Sequence, residues 1–280
     1  MPTTTPQSDA QVQLAFDNVC FSFDETPALC NVSFELRGGE TLVVLGAAGS
    51  GKTVLLKLAL GLLRPDSGRV ILFGRDTSAL SERQWYAVRS RIGVLFQEGG
   101  LFDSLNIEDN VAYPLRNQPE LHVVESEILP RVAQSLEFVE LAGTQEQYPS
   151  ELSGGMRRRA GIARAIVTQP DLLLYDSPTA GLDPITANTI VALIVKGRDV
   201  RGATTVFVTQ RGQDGQILAG CRYDPATGGL RRIAAGDTPP ATRYLVLKEG
   251  AVAFSGSPAE LAGCNDSYVA KFAPAPFLAS

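Results

Sequence analysis

The sequence has little histidine, cysteine or tryptophan, and these shortages narrow the chemistry that the chain can perform. Its one histidine is His122, so every histidine-dependent role would fall on that residue. The four cysteines show no C-x-x-C spacing and stand among apolar neighbours. This pattern predicts reduced, packed thiols rather than a zinc site or disulfides. They are Cys20, Cys30, Cys221 and Cys264.

An excess of basic residues and a long apolar run are also missing. Lys+Arg number 25 and Asp+Glu 30, for a net charge of -5, so we expect no bulk attraction to nucleic acid and no nucleic-acid partner. The most apolar stretch, Val54 to Leu63, contains Lys57 and is about half as long as a membrane-spanning helix. Residues Met1 to Ala10 lack the basic and apolar regions of a signal peptide, which predicts a cytoplasmic protein.

What is present is a chain of 280 residues with alternating strand and helix patterns. Leu14 to Phe23 and Val32 to Leu36 alternate like antiparallel strands. Thr41 to Leu45 is a continuous β-rich run bounded by glycine, typical of a strand buried on both faces of a parallel sheet. The chain therefore begins with an antiparallel β-subdomain and continues into an α/β core.

The middle of the chain is predicted to form a helical insertion. Residues 106–152 have helical spacing, with expected breaks at Pro114, Pro119 and Pro149. Strand and helix patterns then alternate again, which predicts that the parallel sheet resumes. The elements predicted there are a strand at 172–175, a helix at 185–195, a strand at 204–208 and a strand pair at 244–247 and 251–255.

One segment near the C-terminus does not fit this alternation. Residues 212–240 hold six glycines and three prolines, so they are expected to be rich in turns rather than helical. We predict an inserted β-hairpin or irregular flap, with the turn at Asp224 to Gly229 at its tip.

A phosphate-binding motif follows the first buried strand. Its eight residues match G-x-x-x-x-G-K-[ST] between a strand and a helix, the context that this motif requires. Backbone N–H groups of such a loop can surround the phosphates of ATP, with Lys52 at the β- and γ-phosphates and Thr53 on Mg²⁺. The motif comprises Gly46, Ala47, Ala48, Gly49, Ser50, Gly51, Lys52 and Thr53.

Further motifs follow in a fixed order. Gln97 comes after a predicted strand, Leu152-Ser153-Gly154-Gly155 precedes an apolar helix, and a third apolar strand ends at Asp176, before Gly181-Leu182-Asp183-Pro184. In this order the motifs resemble the nucleotide-binding subunits of ABC transporters, from about residue 12 to 272. The resemblance implies a RecA-like P-loop NTPase core at 12–96 and 155–256, a helical signature subdomain at 97–154 and a C-terminal extension at 257–280.

The resemblance also implies roles for individual residues. Two such subunits, identical or different, bind ATP between them head to tail, so Ser153, Gly154 and Gly155 would face the ATP of the opposite protomer. Gln97, Asp176 and Thr53 would surround Mg²⁺, and Asp183 lies in the loop that crosses to the partner. Phe23 is expected either to stack on adenine or to fill the strand core. The run Arg157 to Arg159 is expected to face a phosphate or an acidic surface, or to form a solvated basic surface.

Two positions depart from the family pattern. Ser177 replaces the glutamate that directly follows the Walker B aspartate, and Gln210 replaces the switch histidine. A missing general base costs about 10² to 10⁴ in rate, which predicts slow or absent hydrolysis at the chain's own site. Glu98 is the nearest substitute base in the sequence.

The subfamily is indicated by the segments 95–116, 152–165 and 267–272, which resemble the ATPases of Mla/Mce phospholipid transporters. This implies an integral membrane permease, a lipid-binding substrate subunit and a peripheral position on the cytoplasmic face of the inner membrane. Two alternatives remain open: a non-hydrolysing, ATP-binding regulatory subunit and a soluble ABC protein. An apolar set is expected to form a groove for a permease helix or to pack the insertion onto the core: Leu101, Phe102, Leu105 and Ile107.

Overall fold

The structure is a computed structural model that describes residues 11–234 and 236–273, apart from the side chain of Glu98. Residues 1–10, for which no signal peptide was predicted, and the end of the C-terminal extension lie outside this part. The strands are, in chain order, β1 (Val12–Phe23), β2 (Thr26–Arg37), β3 (Thr41–Leu45), β4 (Ser67–Leu72), β5 (Arg75–Asp76), β6 (Ile92–Leu95), β7 (Leu172–Asp176), β8 (Thr204–Thr209), β9 (Cys221–Asp224), β10 (Gly229–Arg232), β11 (Thr242–Lys248) and β12 (Ala251–Gly256).

Most helices follow a strand along the chain, and α8 comes after the last strand. They are α1 (Lys52–Ala59), α2 (Glu82–Arg89), α3 (Ile107–Asn117), α4 (Glu125–Phe138), α5 (Gly154–Ile166), α6 (Pro184–Arg201), α7 (Gly212–Gly220) and α8 (Pro258–Ala262). In the described part of the chain, no helix is both long and apolar enough to cross a membrane.

Two main sheets build the molecule. The first has the order β2-β1-β4-β5 and antiparallel pairing, and the second has the order β12-β11-β3-β8-β7-β6. In the second sheet the strands from β11 to β6 run parallel, and β12 is an antiparallel edge. The predicted α/β fold, with its antiparallel N-terminal subdomain and helical insertion, is confirmed.

The central sheet separates two hydrophobic cores. Leu42 and Val44 of β3 join the core formed with the N-terminal sheet and α1, whereas Val43 and Leu45 join the core that contains the helical insertion. This division follows from strand geometry, because successive side chains point to opposite faces. The sheet is covered on both sides, as its apolar sequence predicts.

The helical insertion differs from the prediction at one proline. Pro119 and Pro149 begin short 3-10 turns, as expected for breaks, but Pro114 lies inside α3. Ile107 and Val111 of that helix are fully buried. Packing of this face against the core therefore maintains the helix across a residue that disfavours it.

The segment 212–240 was predicted to be turn-rich, and the structure corrects its first part. Residues Gly212–Gly220 form α7. Gly215 packs so closely on Tyr244 that a Cβ there would lie 2.7 Å from the ring. Glycine thus serves close helix-to-sheet packing here, and burial outweighs its low helix propensity. The predicted hairpin does follow, with β9 and β10 paired and Asp224 opposite Gly229 at the turn.

The cysteines are all free, in agreement with the prediction of reduced thiols. Their predicted packing is only partly correct. Cys221 is buried, but Cys30 is exposed although its neighbour Leu29 in β2 is buried, because successive side chains of a strand point to opposite faces.

Candidate functional site

The motif loop 46–53 connects the buried strand β3 to α1. Gly51 is the N-cap of α1 with φ of 98°, a conformation that L side chains rarely adopt, and a Cβ there would lie 2.6 Å from the carbonyl oxygen of Ala28. Gly46 is equally confined, since its Cβ would lie 2.5 Å from the carbonyl oxygen of Leu247. The glycines therefore let the loop pass closely between neighbouring backbones.

Lys52 points back into this loop. Its Nζ donates to the carbonyl oxygens of Gly46 at 2.8 Å and Ala47 at 2.6 Å, and to Oγ of Ser50 at 3.2 Å. Burial lowers the pKa of the Lys52 ammonium, and the charge of Asp176 opposes that shift. The loop carbonyls thus hold a buried cation at the start of α1, where an anion is also favoured by the helix dipole.

Three central strands bring the other sheet-edge residues to the same end of the sheet. In the parallel register, Leu45 lies beside Thr209, and Asp176 lies beside Val208. The carboxyl ends of β3, β8 and β7 therefore place Lys52, Asp176 and Gln210 along one edge. Asp176 is buried, whereas Gln210 and Thr53 are exposed.

Ser177 follows Asp176 in the left-handed region, with φ of 49°. Its N–H donates to the carbonyl oxygen of Val208 at 2.9 Å. This bond ties the turn after β7 to the neighbouring strand β8. The side chain at the position of the family's glutamate is thus held at the edge of the sheet, but it is a neutral hydroxyl.

The predicted glutamine, Gln97, and one signature residue, Gly154, border one cleft of about 470 Å³. Gln97 begins the 3-10 turn Gln97–Gly99 after β6, and Gly154 begins α5. Ser153 is the N-cap of α5, and its side chain accepts a hydrogen bond from the Met156 N–H at 3.2 Å. Gly181 lines the same cleft. The structure thus brings together the glutamine, signature and D-loop segments. The side chain of Glu98, the predicted substitute base, lies outside the described part of the chain.

The three arginines after the signature, Arg157 to Arg159, make hydrogen bonds to backbone carbonyls, a role that was not predicted. Arg157 donates to the carbonyl oxygen of Leu152 at 2.8 Å, and Arg159 donates to that of Glu140 at 3.1 Å. Arg158 is buried and donates to the carbonyl oxygen of Ala180 at 3.1 Å. Arg158 is therefore not part of a solvated surface, and all three side chains join α5 to the surrounding loops. Arg157 and Arg158 also line the cleft beside Gln97, and the orientation of the run toward a phosphate or an acidic surface stays a prediction.

Phe23 lies at the end of β1 and is 49% exposed. Its ring meets Phe21 edge to face, with 4.9 Å between centroids. The alternative that Phe23 fills the strand core is therefore wrong. The ring has an open face that a flat ligand could cover.

Asp183 is the N-cap of α6. Its Oδ1 accepts hydrogen bonds from the N–H groups of Ile185 and Thr186, both at 3.0 Å. The hydrogen bond from the Thr186 side chain, together with these N–H groups, lowers the pKa of the Asp183 carboxyl. Asp183 therefore orders the start of α6 next to the D-loop.

Two residues of this region had no predicted role. Asp214 in α7 is fully buried and accepts hydrogen bonds from the hydroxyls of Thr179 at 2.6 Å and Thr209 at 2.8 Å. Tyr268 contacts the motif loop through its hydroxyl, which accepts from the Ala47 N–H at 3.0 Å. Asp214 belongs to no predicted motif, and Tyr268 lies in the segment 267–272 that resembles the subfamily but was given no role at the site, so only the fold reveals their proximity to it.

Comparisons with known proteins agree with this geometry. The sequence profile of the ABC transporter family matches residues 29–180. The intermembrane phospholipid transport system ATP-binding protein MlaF of Haemophilus influenzae is 38% identical over 206 residues, covering 74% of this chain and 77% of that protein. The probable ribonucleotide transport ATP-binding protein mkl of Mycobacterium leprae is 42% identical over 188 residues, or 67% of this chain and 54% of that protein.

The chain thus spans about half the length of this mycobacterial relative. Among solved structures, the dimeric ATP-binding cassette MJ0796 in a post-hydrolysis state, bound to ADP and Pi, superposes with a TM-score of 0.73 at 27% identity. The match covers 88% of this chain and 98% of that one. The motif order, the sheet-edge geometry and these similarities have one common explanation: the chain belongs to the ABC transporter family, as an ATP-binding subunit.

Proposed function

We propose that the chain binds Mg-ATP through the loop 46–53. The observation that carries this proposal is the buried ammonium of Lys52, held by the loop carbonyls opposite Asp176. Thr53, Gln97 and Asp176 offer oxygen donors of the kind that Mg²⁺ prefers. The described residues contain no group of three or more His, Cys, Asp or Glu that could hold a metal ion. The ion would therefore be shared between these donors and the phosphates, whose charge it would neutralise.

Substitution of Lys52 tests this binding. Lys52→Ala should weaken Mg-ATP affinity at least tenfold, because a charge-assisted hydrogen bond contributes about 1.5 to 3 kcal/mol. Lys57→Ala is the matched control, since Lys57 is exposed on the same helix. Calorimetry that gives both variants the affinity of the native protein would refute the proposal.

The functional unit is proposed to be a head-to-tail dimer. Ser153, Gly154 and Gly155 start α5, so their end of the helix attracts negative charge. In a dimer this end would face the ATP of the opposite protomer, and Asp183 would lie in the loop that crosses to that protomer. The dimeric form of MJ0796 supports this arrangement, and the second protomer can be this chain or another ATPase.

The membrane partner is proposed to dock beside Phe102. Ile107, one of the four apolar candidates, is fully buried and packs the insertion onto the core. Phe102 is 41% exposed, and with Phe96 and Tyr113 it lines a groove of about 740 Å³. A helix of a permease would fit such an apolar groove.

Asn110 holds this groove in shape. It is fully buried, and its side chain accepts from the Phe102 N–H at 2.7 Å and donates to the carbonyl oxygens of Phe102 and Leu105.

Substitution of Phe102 tests the docking site. Because the Phe102 ring is exposed in the groove, Phe102→Asp should abolish co-purification with the permease while ATP affinity is unchanged. Tyr148→Asp is the control, because Tyr148 is 47% exposed on another surface. Equal retention of the permease by both variants would contradict the docking site.

The cargo is proposed to be phospholipid, which a lipid-binding subunit would deliver to the permease. The permease would hold this chain at the membrane surface. The relative named for phospholipid transport covers a larger share of both chains than the one named for ribonucleotide transport. Transport of labelled phospholipid between vesicles by the reconstituted complex tests this assignment. Transport of ribonucleotides instead of phospholipid by the same complex would contradict this assignment.

A second function is favoured by Ser177 and Gln210. Both replace residues tied to turnover, so the chain could bind ATP and control dimer closure without hydrolysing it. A phosphate-release assay on the purified native protein distinguishes the two functions. Sustained turnover supports an ATPase, and stoichiometric binding without release supports a regulatory subunit.

A further inference from the structure

The peptide group between Gly46 and Ala47 is held from both sides. Its carbonyl oxygen accepts from Lys52 Nζ at 2.8 Å, and its N–H donates to the hydroxyl of Tyr268 at 3.0 Å. A peptide group is planar and moves as one unit. The direction of the carbonyl that receives Lys52 therefore depends on the partner of the N–H.

The Tyr268 hydroxyl is oriented by a second bond. It donates to the carbonyl oxygen of Leu247 at 2.9 Å, so its lone pairs remain available for the Ala47 N–H. Leu247 belongs to β11, the strand next to β3. The hydroxyl thus bridges the motif loop to the neighbouring strand of the central sheet.

The segment that carries Tyr268 is itself firmly attached. Asp266 accepts from the N–H groups of Tyr268 at 2.8 Å and Val269 at 2.9 Å. Val269 is fully buried and Phe272 is 7% exposed in the core of the helical insertion. The Tyr268 and Phe272 rings also contact each other, with 5.3 Å between centroids. These contacts therefore fix the position of the Tyr268 hydroxyl.

The same segment lies against the switch region. The carbonyl oxygen of Phe272 would be 2.3 Å from a Cβ on Gly212, the residue that begins α7 two positions after Gln210. One short C-terminal stretch therefore contacts both the phosphate loop and the helix after β8.

We propose that Tyr268 is a positioning residue of the nucleotide site. It fixes the Gly46–Ala47 peptide and, through that peptide, the ammonium of Lys52 that would hold the β- and γ-phosphates. The inference rests on the proposed ATP binding, and it extends the support of the phosphate loop to the C-terminal segment.

Tyr268→Phe tests this link because it removes the hydroxyl and keeps the ring. Mg-ATP affinity of the full chain should fall about three- to tenfold, the effect of one lost hydrogen bond. Tyr223→Phe, a tyrosine of the hairpin strand β9, should leave the affinity unchanged. In a Lys52→Ala background, Tyr268→Phe should have almost no further effect, since both changes act on one interaction. Native affinity in Tyr268→Phe, or an equal loss in both backgrounds, would overturn the proposal.

Hydrogen exchange provides a test that does not need nucleotide. In the nucleotide-free protein, Tyr268→Phe should speed exchange of the Ala47 amide, and Tyr223→Phe should not. Unchanged protection of Ala47 would also overturn the proposal. If the native protein fails to bind Mg-ATP, the proposed function is wrong, while the exchange experiment still decides whether Tyr268 holds the loop.

Discussion

The hydroxyl of Ser177 donates a hydrogen bond to the carboxylate of Asp176, with 3.2 Å between Oγ and Oδ1. This contact occupies the position where the family pattern places a glutamate. A hydroxyl there can orient the neighbouring carboxylate, but a neutral alcohol is far too weak a base to take a proton from water. The arrangement suits cation binding better than water activation.

Restoring the family residues should therefore increase turnover. Ser177→Glu combined with Gln210→His is expected to raise steady-state phosphate release by about 10² or more, because a general base is supplied. Ser177→Gln with Gln210→His is the control, since it keeps the new histidine and adds a side chain of similar size without the carboxylate. Native turnover at about 1 s⁻¹ or faster, with no gain in the double variant, would show that another group acts as the base.

Two serine N-caps allow the effect of a cap on helix stability to be distinguished from the role of the signature in dimer formation. Ser153 caps α5 and Ser81 caps α2, and each side chain accepts a backbone N–H of the first turn. Replacing either with alanine should lower the free energy of unfolding by about 1 kcal/mol in urea titrations. Only Ser153→Ala should also reduce ATP-dependent dimer formation, measured by light scattering. Equal loss of dimer in both variants would point to a general stability effect.

The hairpin is attached to α6 through Arg198. This buried side chain pairs with Asp199, with 2.8 Å between Nε and Oδ1, and also donates to the carbonyl oxygen of Cys221 at 2.8 Å. Arg198→Ala should reduce the free energy of unfolding by about 3 kcal/mol, because it removes the main ion-pair partner of a carboxylate that is only 12% exposed and leaves the carbonyl oxygen of Cys221 without its donor.

Arg231→Ala is the matched control for that change. Arg231 pairs with Asp237 at 2.6 Å on the exposed side of the same hairpin region, where an ion pair contributes about 1 kcal/mol or less. Chemical denaturation should show the difference. Similar losses in the two variants would mean that Arg198 does not anchor the hairpin.

Asp214 should make stability depend on pH. Burial raises the pKa of its carboxyl, while the Thr179 and Thr209 hydroxyls and Arg211 oppose the rise. The folded protein thus binds this proton more tightly than the unfolded chain, and the contribution of Asp214 to stability decreases as pH rises through the raised pKa. Asp214→Asn removes the titration, so its stability relative to the native protein should increase with pH across that range.

The opposite sign is expected for Asp237→Asn. The hydrogen bond from Arg231 lowers the pKa of Asp237, so its carboxylate contributes stability above the ordinary carboxyl pKa and loses it as pH falls. Urea titrations at several pH values compare the two variants. Parallel stability curves for Asp214→Asn and the native protein would show that Asp214 does not titrate differently on folding.

The sequence predicted best the elements with a strong local signal. The strand Thr41–Leu45 is a continuous β-rich run between glycines, and its predicted limits agree with the structure. The helix Gly212–Gly220 was missed because its glycines predicted turns, whereas Gly215 packs on Tyr244 and Gly212 lies against the backbone of Phe272, contacts that only the fold creates. The bond between Ala47 and Tyr268 joins residues 221 positions apart, so no local pattern could indicate it.

The placement of β3 between two cores also limits how the chain can vary in length. Leu42 and Val44 face one core, and Val43 and Leu45 face the other. Inserting or deleting a single residue within this strand would exchange the two faces for the residues beyond the change and disturb both cores at once. Relatives can therefore differ in the identity of these apolar side chains, but a gap of one residue between Thr41 and Gly46 should be strongly selected against.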